Sequence, residues 1–126
     1  MRALVILCVL LAAPKTPQPT VSVTPRFSSH APASVRILAR RHSSDDVKGG
    51  AWCLGLWSED SAYSRMSCDE QGDGPDSVSQ AYPDLPPGRY TVDFLVRYSN
   101  GQQRQGVGTF CVIGGEVTCS EDPPRP

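Results

Sequence analysis

"RYTVDFLVRYSNG", Arg89–Gly101, alternates large apolar and polar side chains along its length. Tyr90, Val92, Phe94, Val96 and Tyr98 fall on one side, with Thr91, Asp93 and Arg97 on the other, and a period of two is the signature of a half-buried β-strand. The run stops at Asn100-Gly101, the pair best suited to the two positive-φ positions of a type I′ hairpin turn. With those two residues as the loop, Phe94 stands opposite Val107, Val92 opposite Thr109 and Tyr90 opposite Cys111. That register places Cys111 on the core face.

The same alternation recurs upstream. "TVSV" sets Val21 and Val23 on one face and ends at Pro25, where a missing N–H suits a strand end. "SVRILAR" sets Val35, Ile37 and Ala39 against Arg36, Leu38 and Arg40. The polar, glycine-ended "HSSDDVKGG" reads as a turn, and "AWCLGLW" then directs Trp52, Leu54 and Leu56 inward and Cys53, Gly55 and Trp57 outward. Nowhere does an apolar 3.6-residue period persist over three turns, so the expected fold class is all-β.

The chain has 126 residues, of which 39% are hydrophobic, enough for one modest core. Its formal charge is -1 and its 12 Lys and Arg residues are scattered, which removes nucleic acid from the partners. Residues 1–13 carry one cation, Arg2, and an apolar run from Ala3 to Ala13. Crossing a bilayer takes about 20 apolar residues, so the run reads as an export signal, not an anchor. Leu7 before Cys8 is not the small residue that precedes a lipid-bearing cysteine. Residues 14–19, "PKTPQP", read as a Pro-rich tether, residues 20–120 as the domain, and residues 121–126 as a Pro-rich tail.

Four cysteines remain after the leader, and an even number in an exported chain is the arithmetic of disulfides. A three-residue loop from Gly114 to Glu116 pairs Ile113 with Val117 and Cys111 with Cys119. A hairpin centred on Asp60 and Ser61 sets Cys53 opposite Cys68. In the chain-entropy model, closed loops of about 9 and 16 residues contribute roughly 2.5 to 3 kcal/mol each. Four cysteines allow three connectivities, and local pairing is the one expected here.

"DLPPGRYTVDFLV", Asp84–Val96, resembles the Leu-Pro-Gly-x-Tyr-x-Val entry into a late strand of immunoglobulin-like sandwiches, including fibronectin type III-like domains and the transthyretin-like, carboxypeptidase-regulatory-like domains of bacterial exported proteins. The resemblance implies a single antiparallel sandwich of about seven strands. It also implies a corner role for Tyr90, whose hydroxyl would bond to backbone. The inter-sheet cystine of antibody domains has no counterpart, because "SVRILARR" and "RYTVDFLVRYS" hold no cysteine.

Chemistry-bearing patterns are few. In "DEQGDGPDSVSQ", Asp69, Asp73 and Gly74 match an EF-hand loop, but Gln71 and Gln80 stand where ligating side chains belong, which leaves a solvated loop. The cysteines are too far apart for a zinc site, and His30 and His42 sit alone in polar segments. No nucleophile motif is present. Trp57 is expected on the outer face beside Met66 and the Cys53–Cys68 pair, as a cover over the disulfide or as a contact for a partner protein or a sugar ring. These features lead to an expectation of a non-catalytic structural or interaction module, without metal or cofactor, secreted or in the cell envelope, and partnered by another envelope or extracellular protein. The alternatives are a carbohydrate-binding module and a small secreted hydrolase or inhibitor.

Overall fold

The computed structural model describes residues 15–25 and 28–119. The expected leader with Cys8, and the tail at 121–126, lie outside the described residues. Eight strands follow in order: β1 (Thr20–Thr24), β2 (Ser28–His30), β3 (Ala33–Arg40), β4 (Gly49–Ser58), β5 (Ser64–Asp69), β6 (Ser77–Leu85), β7 (Gly88–Tyr98) and β8 (Gln103–Ile113). They form a three-stranded sheet, β1-β3-β6, packed on a five-stranded sheet, β2-β8-β7-β4-β5. Seven strands pair antiparallel and the short β2 runs parallel to β8. The architecture is the expected all-β sandwich of two sheets.

Inward positions alternate as β-geometry requires. Ile37 from β3, Leu54 and Leu56 from β4, Val92, Phe94 and Val96 from β7 and Val112 from β8 are closed to solvent. Tyr90 stacks on Phe110 with ring centroids 5.0 Å apart, and its hydroxyl donates to the Pro86 carbonyl at 2.6 Å. The sequence reading had no strand at β2 or β6. The inward side chains of β6 include Val78, Gln80 and Tyr82, and its outward ones are serine and alanine, so it carries little apolar contrast.

The β7–β8 register differs from expectation by one residue. The loop is three residues long, Ser99 to Gly101, closed by Tyr98 N–H donating to the Gln102 carbonyl and by Asn100 Oδ1 accepting from Gln102 N–H. Gly101, not Asn100, takes the left-handed conformation, at φ 86°. Tyr90 therefore pairs with Phe110, Phe94 with Gly106 and Val92 with Gly108. A one-residue slip turns every side chain over. Phe110 and Val112 go inward in place of Thr109 and Cys111, and Cys111 lies on the outer face opposite Arg89.

Burial favours this register, because Phe110 and Val112 enclose more apolar surface than Thr109 and Cys111 would. It also sends Gly106 and Gly108 inward beneath β1. A Cβ at Gly106 would stand 2.8 Å from the Pro19 carbonyl oxygen. Residues 15–19 thus lie along β8, with Pro19 fully buried and the Gln18 amide donating to the Gln105 carbonyl.

At the far end of β3 the inward alternation continues one step past the strand, to Arg41, which is 1% exposed. Its guanidinium donates to five carbonyls: Gly50 (2.6 Å), Gly72 (3.0 Å) and, at the limit, Gly49 (3.5 Å) from Nη1, and Gly74 (2.6 Å) and Pro75 (3.0 Å) from Nη2. Nε lies 3.5 Å from Asp76 Oδ1. Arg41 N–H donates to the Asp76 carbonyl, and the Tyr98 hydroxyl donates to the Arg41 carbonyl. One buried residue, through its side chain and its backbone, thereby ties β3, the start of β4, the β5–β6 loop and the end of β7.

Two outcomes follow. Arg41→Met leaves desolvated carbonyls without donors and should lower stability by about 2–4 kcal/mol, with Arg41→Lys intermediate because it keeps the charge but not the fork; urea unfolding measures both. Gly106→Ala forces β1 and Pro19 away from β8 and should cost about 1–3 kcal/mol, read as a lowered Tm.

Candidate functional site

The expected cysteine pairs are both present. Cys53 and Cys68 are directly opposed across β4 and β5, with Cα atoms 4.0 Å apart, and Cys111 bridges to Cys119 across 6.0 Å. The second turn is tighter than expected. Gly114 and Val117 exchange backbone hydrogen bonds, so Gly115 and Glu116 form a two-residue loop in place of the expected three, and Gly115 has φ 54°.

Trp57 and Met66 lie on the outer face of the five-stranded sheet, with the Cys53–Cys68 bridge one rung away. Gly55 is opposite Met66 and leaves a slot on that face. The Trp57 ring leans across it, its Cζ3 3.0 Å from where a Cβ would stand, and the Met66 methyl closes in at 3.6 Å. Trp57 is half-buried and Met66 is 72% exposed. The aromatic is thus laid flat over backbone instead of projecting as a free plane.

The two histidines are not brought together. His30 ends β2, whereas His42 follows β3, with its Nε2 2.8 Å from Thr20 Oγ1. The eight residues of β3 lie between them, about 26 Å of strand. The acidic β5–β6 loop is organised around Arg41: Asp69 Oδ1 accepts from Gln71 and Gly72 N–H at 3.0 and 3.1 Å, and the loop carbonyls turn inward onto the guanidinium. The Gly72, Gly74 and Pro75 carbonyls of this loop are thus taken up by a built-in cation.

The sequence reading missed an open cavity of about 410 Å³ at the His30 end of the sandwich, between the β4–β5 turn, the start of β7 and the turn after β8. Glu59, Asp60 and Glu116 bring three carboxylates to it, against one guanidinium, Arg89, with Pro87 and the Thr118 hydroxyl completing the wall. The Ser58 hydroxyl donates to Asp60 Oδ1 at 2.6 Å and Ala62 N–H donates to the same oxygen at 3.0 Å. These donors, the hydroxyl first, hold the Asp60 carboxyl below its ordinary pKa, so it is anionic at neutral pH. Among the described residues, no three His, Cys, Asp or Glu side chains stand close enough together to hold a metal ion directly. The sequence signal for this cavity is faint, because Glu59 and Asp60 are neighbours in one polar turn and Glu116 lies more than fifty residues away in the chain.

The described residues include no helix long and apolar enough to cross a membrane, and with two disulfides the chain is compatible with a secreted or periplasmic setting. No family model matches the chain, and no curated protein matches it. Solved structures do. Superoxide reductase (neelaredoxin) from Ignicoccus hospitalis is similar over 78% of this chain and 82% of its own, with a TM-score of 0.54 at 10% identity. A single-site variant of that reductase gives 0.55 over the same shares, also at 10% identity. CopC from Methylosinus trichosporium OB3b is similar over 75% of this chain and 93% of its own, with a TM-score of 0.50 at 20% identity. At such identities the likeness shows the fold alone. It is enough to correct the expectation of a non-catalytic structural or interaction module that is no enzyme, together with its carbohydrate-binding and hydrolase or inhibitor alternatives: that inference ran from architecture to inactivity, and the same all-β sandwich is the scaffold of redox enzymes.

Proposed function

We propose that this chain is an exported metal-ion-binding domain that takes its ion at the acidic end cavity. The observation that carries the reading is the convergence of Glu59, Asp60 and Glu116 on one open cavity, with Asp60 kept ionised by its own turn. The fold likeness supports it, since reduction of superoxide needs a one-electron carrier that ordinary side chains do not supply. The disulfide pairs support an oxidising setting outside the cytoplasm, and the Asp84–Val96 phrase supports kinship with exported immunoglobulin-like domains.

The donor set limits the ion. The cavity offers carboxylate and hydroxyl oxygens, and the four described cysteines are tied in disulfides. Hard oxygen donors suit a hydrated divalent cation, whereas a closed nitrogen- and sulfur-ligated redox centre does not fit them. Because no three side chains close on one point, the ion keeps much of its water and is held mainly by charge. The residues thus fit ion uptake, and no step of superoxide chemistry is derived for them.

Calorimetric titration of the disulfide-bonded protein with Mn²⁺ and Ca²⁺ tests this. One saturable site with Kd of about 10⁻⁴–10⁻³ M is expected, the range of weak extracellular sites. Glu59→Gln with Glu116→Gln should weaken it about tenfold or more and leave Asp60 and its turn intact. Absence of saturable binding, or binding indifferent to the double change, overturns the reading.

A further inference from the structure

Among the described residues, the exposed large apolar side chains are Leu38, Met66, Leu95 and Val107. All but Leu38 share the outer face of the five-stranded sheet. Met66, Gly55, Asp93 and Val107 form one cross-strand row, and Cys68, Cys53, Leu95 and Gln105 form the next. Val107 is 57% exposed and Leu95 39%. Leu38, on the outside of the other sheet, stands between Arg36 and Arg40 and across from Ser22 and Ser79. The two outer surfaces are therefore chemically different, and only one is apolar.

At the centre of that apolar face is Asp93, on the middle strand of the sheet. Its Oδ1 is buried and accepts no hydrogen bond within the chain. That oxygen is covered by the chain itself, but the residue as a whole is only half-buried, so a cation brought to its exposed side offsets part of the cost of the missing donor. The donors nearest in kind are on the same strand and face: Arg89 and Arg97, each four residues from Asp93. They cannot bend back to it along an extended strand, since four residues span about 13 Å. Neither has an ion-pair partner among the described residues, where the one salt bridge joins Arg41 and Asp76.

A surface with a carboxylate and a guanidinium at a fixed offset along one strand is complementary to itself under two-fold rotation. We propose that a second copy of this chain covers this face, through a two-fold axis that crosses β7 at Leu95. The two β7 strands then run antiparallel, face to face, at the roughly 10 Å separation of packed sheets. Leu95 meets Leu95 at the axis, and Asp93 of each copy faces Arg97 of the other, giving two reciprocal ion pairs. Val107 and Met66 flank the pairs, and the polar Gln105 lies beside Leu95 in the axial row. An unrelated apolar partner would leave Asp93 desolvated and unpaired, which is why the charge pattern selects a second copy.

Sedimentation equilibrium of the disulfide-bonded chain, without added metal, tests the proposal independently of the end cavity. A monomer–dimer equilibrium is expected across micromolar to millimolar protein. Val107→Lys and Leu95→Lys, both at exposed positions, should raise the dimer Kd about tenfold or more with little change in Tm. Asp93→Arg and Arg97→Asp should each weaken the dimer by a similar factor, while the double exchange restores it to within about threefold, as direct coupling requires. A chain that stays monomeric throughout overturns the proposal. So does a dimer insensitive to the two lysine variants, or a charge exchange that fails to restore association while the Tm shows the double variant folded.

Discussion

Arg41 is the constraint on which one end of this sandwich depends. A guanidinium has five N–H donors in a rigid plane, and inside a protein each must find an acceptor or be penalised for its lost water. Here the acceptors are backbone carbonyls from the first two residues of β4, Gly49 and Gly50, and from the β5–β6 loop, Gly72–Pro75. The charge is balanced by converging dipoles and a half-exposed Asp76 instead of a buried carboxylate. Glycine is required where the chain passes closest. Gly72 has φ 67°, and a Cβ there would lie 2.4 Å from the Gly50 carbonyl carbon. The β5–β6 loop thus folds because a cation is fixed beneath it, and its Glu70 and Asp73 side chains are left to solvent.

The opposite end is held differently. Tyr90 closes the corner through the Pro86 carbonyl and stacks on Phe110, and the Cys111–Cys119 bridge pins the segment that follows β8. Between these ends the sheets meet through alternate side chains. β1 approaches closely over β8 only because Gly106 and Gly108 leave room for Pro19 and Val21. One covalent staple and a corner at one end, and a buried cation at the other, leave the turns around the end cavity free to present carboxylates. Those turns have short backbone ties, such as Glu59 N–H to the Arg89 carbonyl, and no core function to satisfy.

The likeness to superoxide reductases and CopC widens what this architecture is known to do without assigning any of it to this chain. The chain's own side chains decide. Its histidines are a sandwich length apart, its described cysteines are oxidised to disulfides, and its carboxylates gather at one end. Hard, charge-dominated ion binding fits that distribution.

Local pattern was sufficient for much of the fold. The period of two in β3, β4 and β7, the pairing of Cys53 with Cys68 across one hairpin, and the Tyr90 corner are all read from neighbours in the chain, because alternation and short loops are local properties. Arg41 was also within reach, as the next inward position after Val35, Ile37 and Ala39, but its charge argued against burial until the carbonyls that receive it were in place. The β7–β8 register, and with it the outward position of Cys111, was decided by tertiary packing. A two-residue and a three-residue loop are both compatible with Ser99-Asn100-Gly101, and the choice fell to the larger apolar burial of Phe110 and Val112 together with the fit of β1 over two glycines. The end cavity likewise exists only in three dimensions, since Glu59, Asp60 and Glu116 come from separate turns that the closing of the two sheets brings to one end.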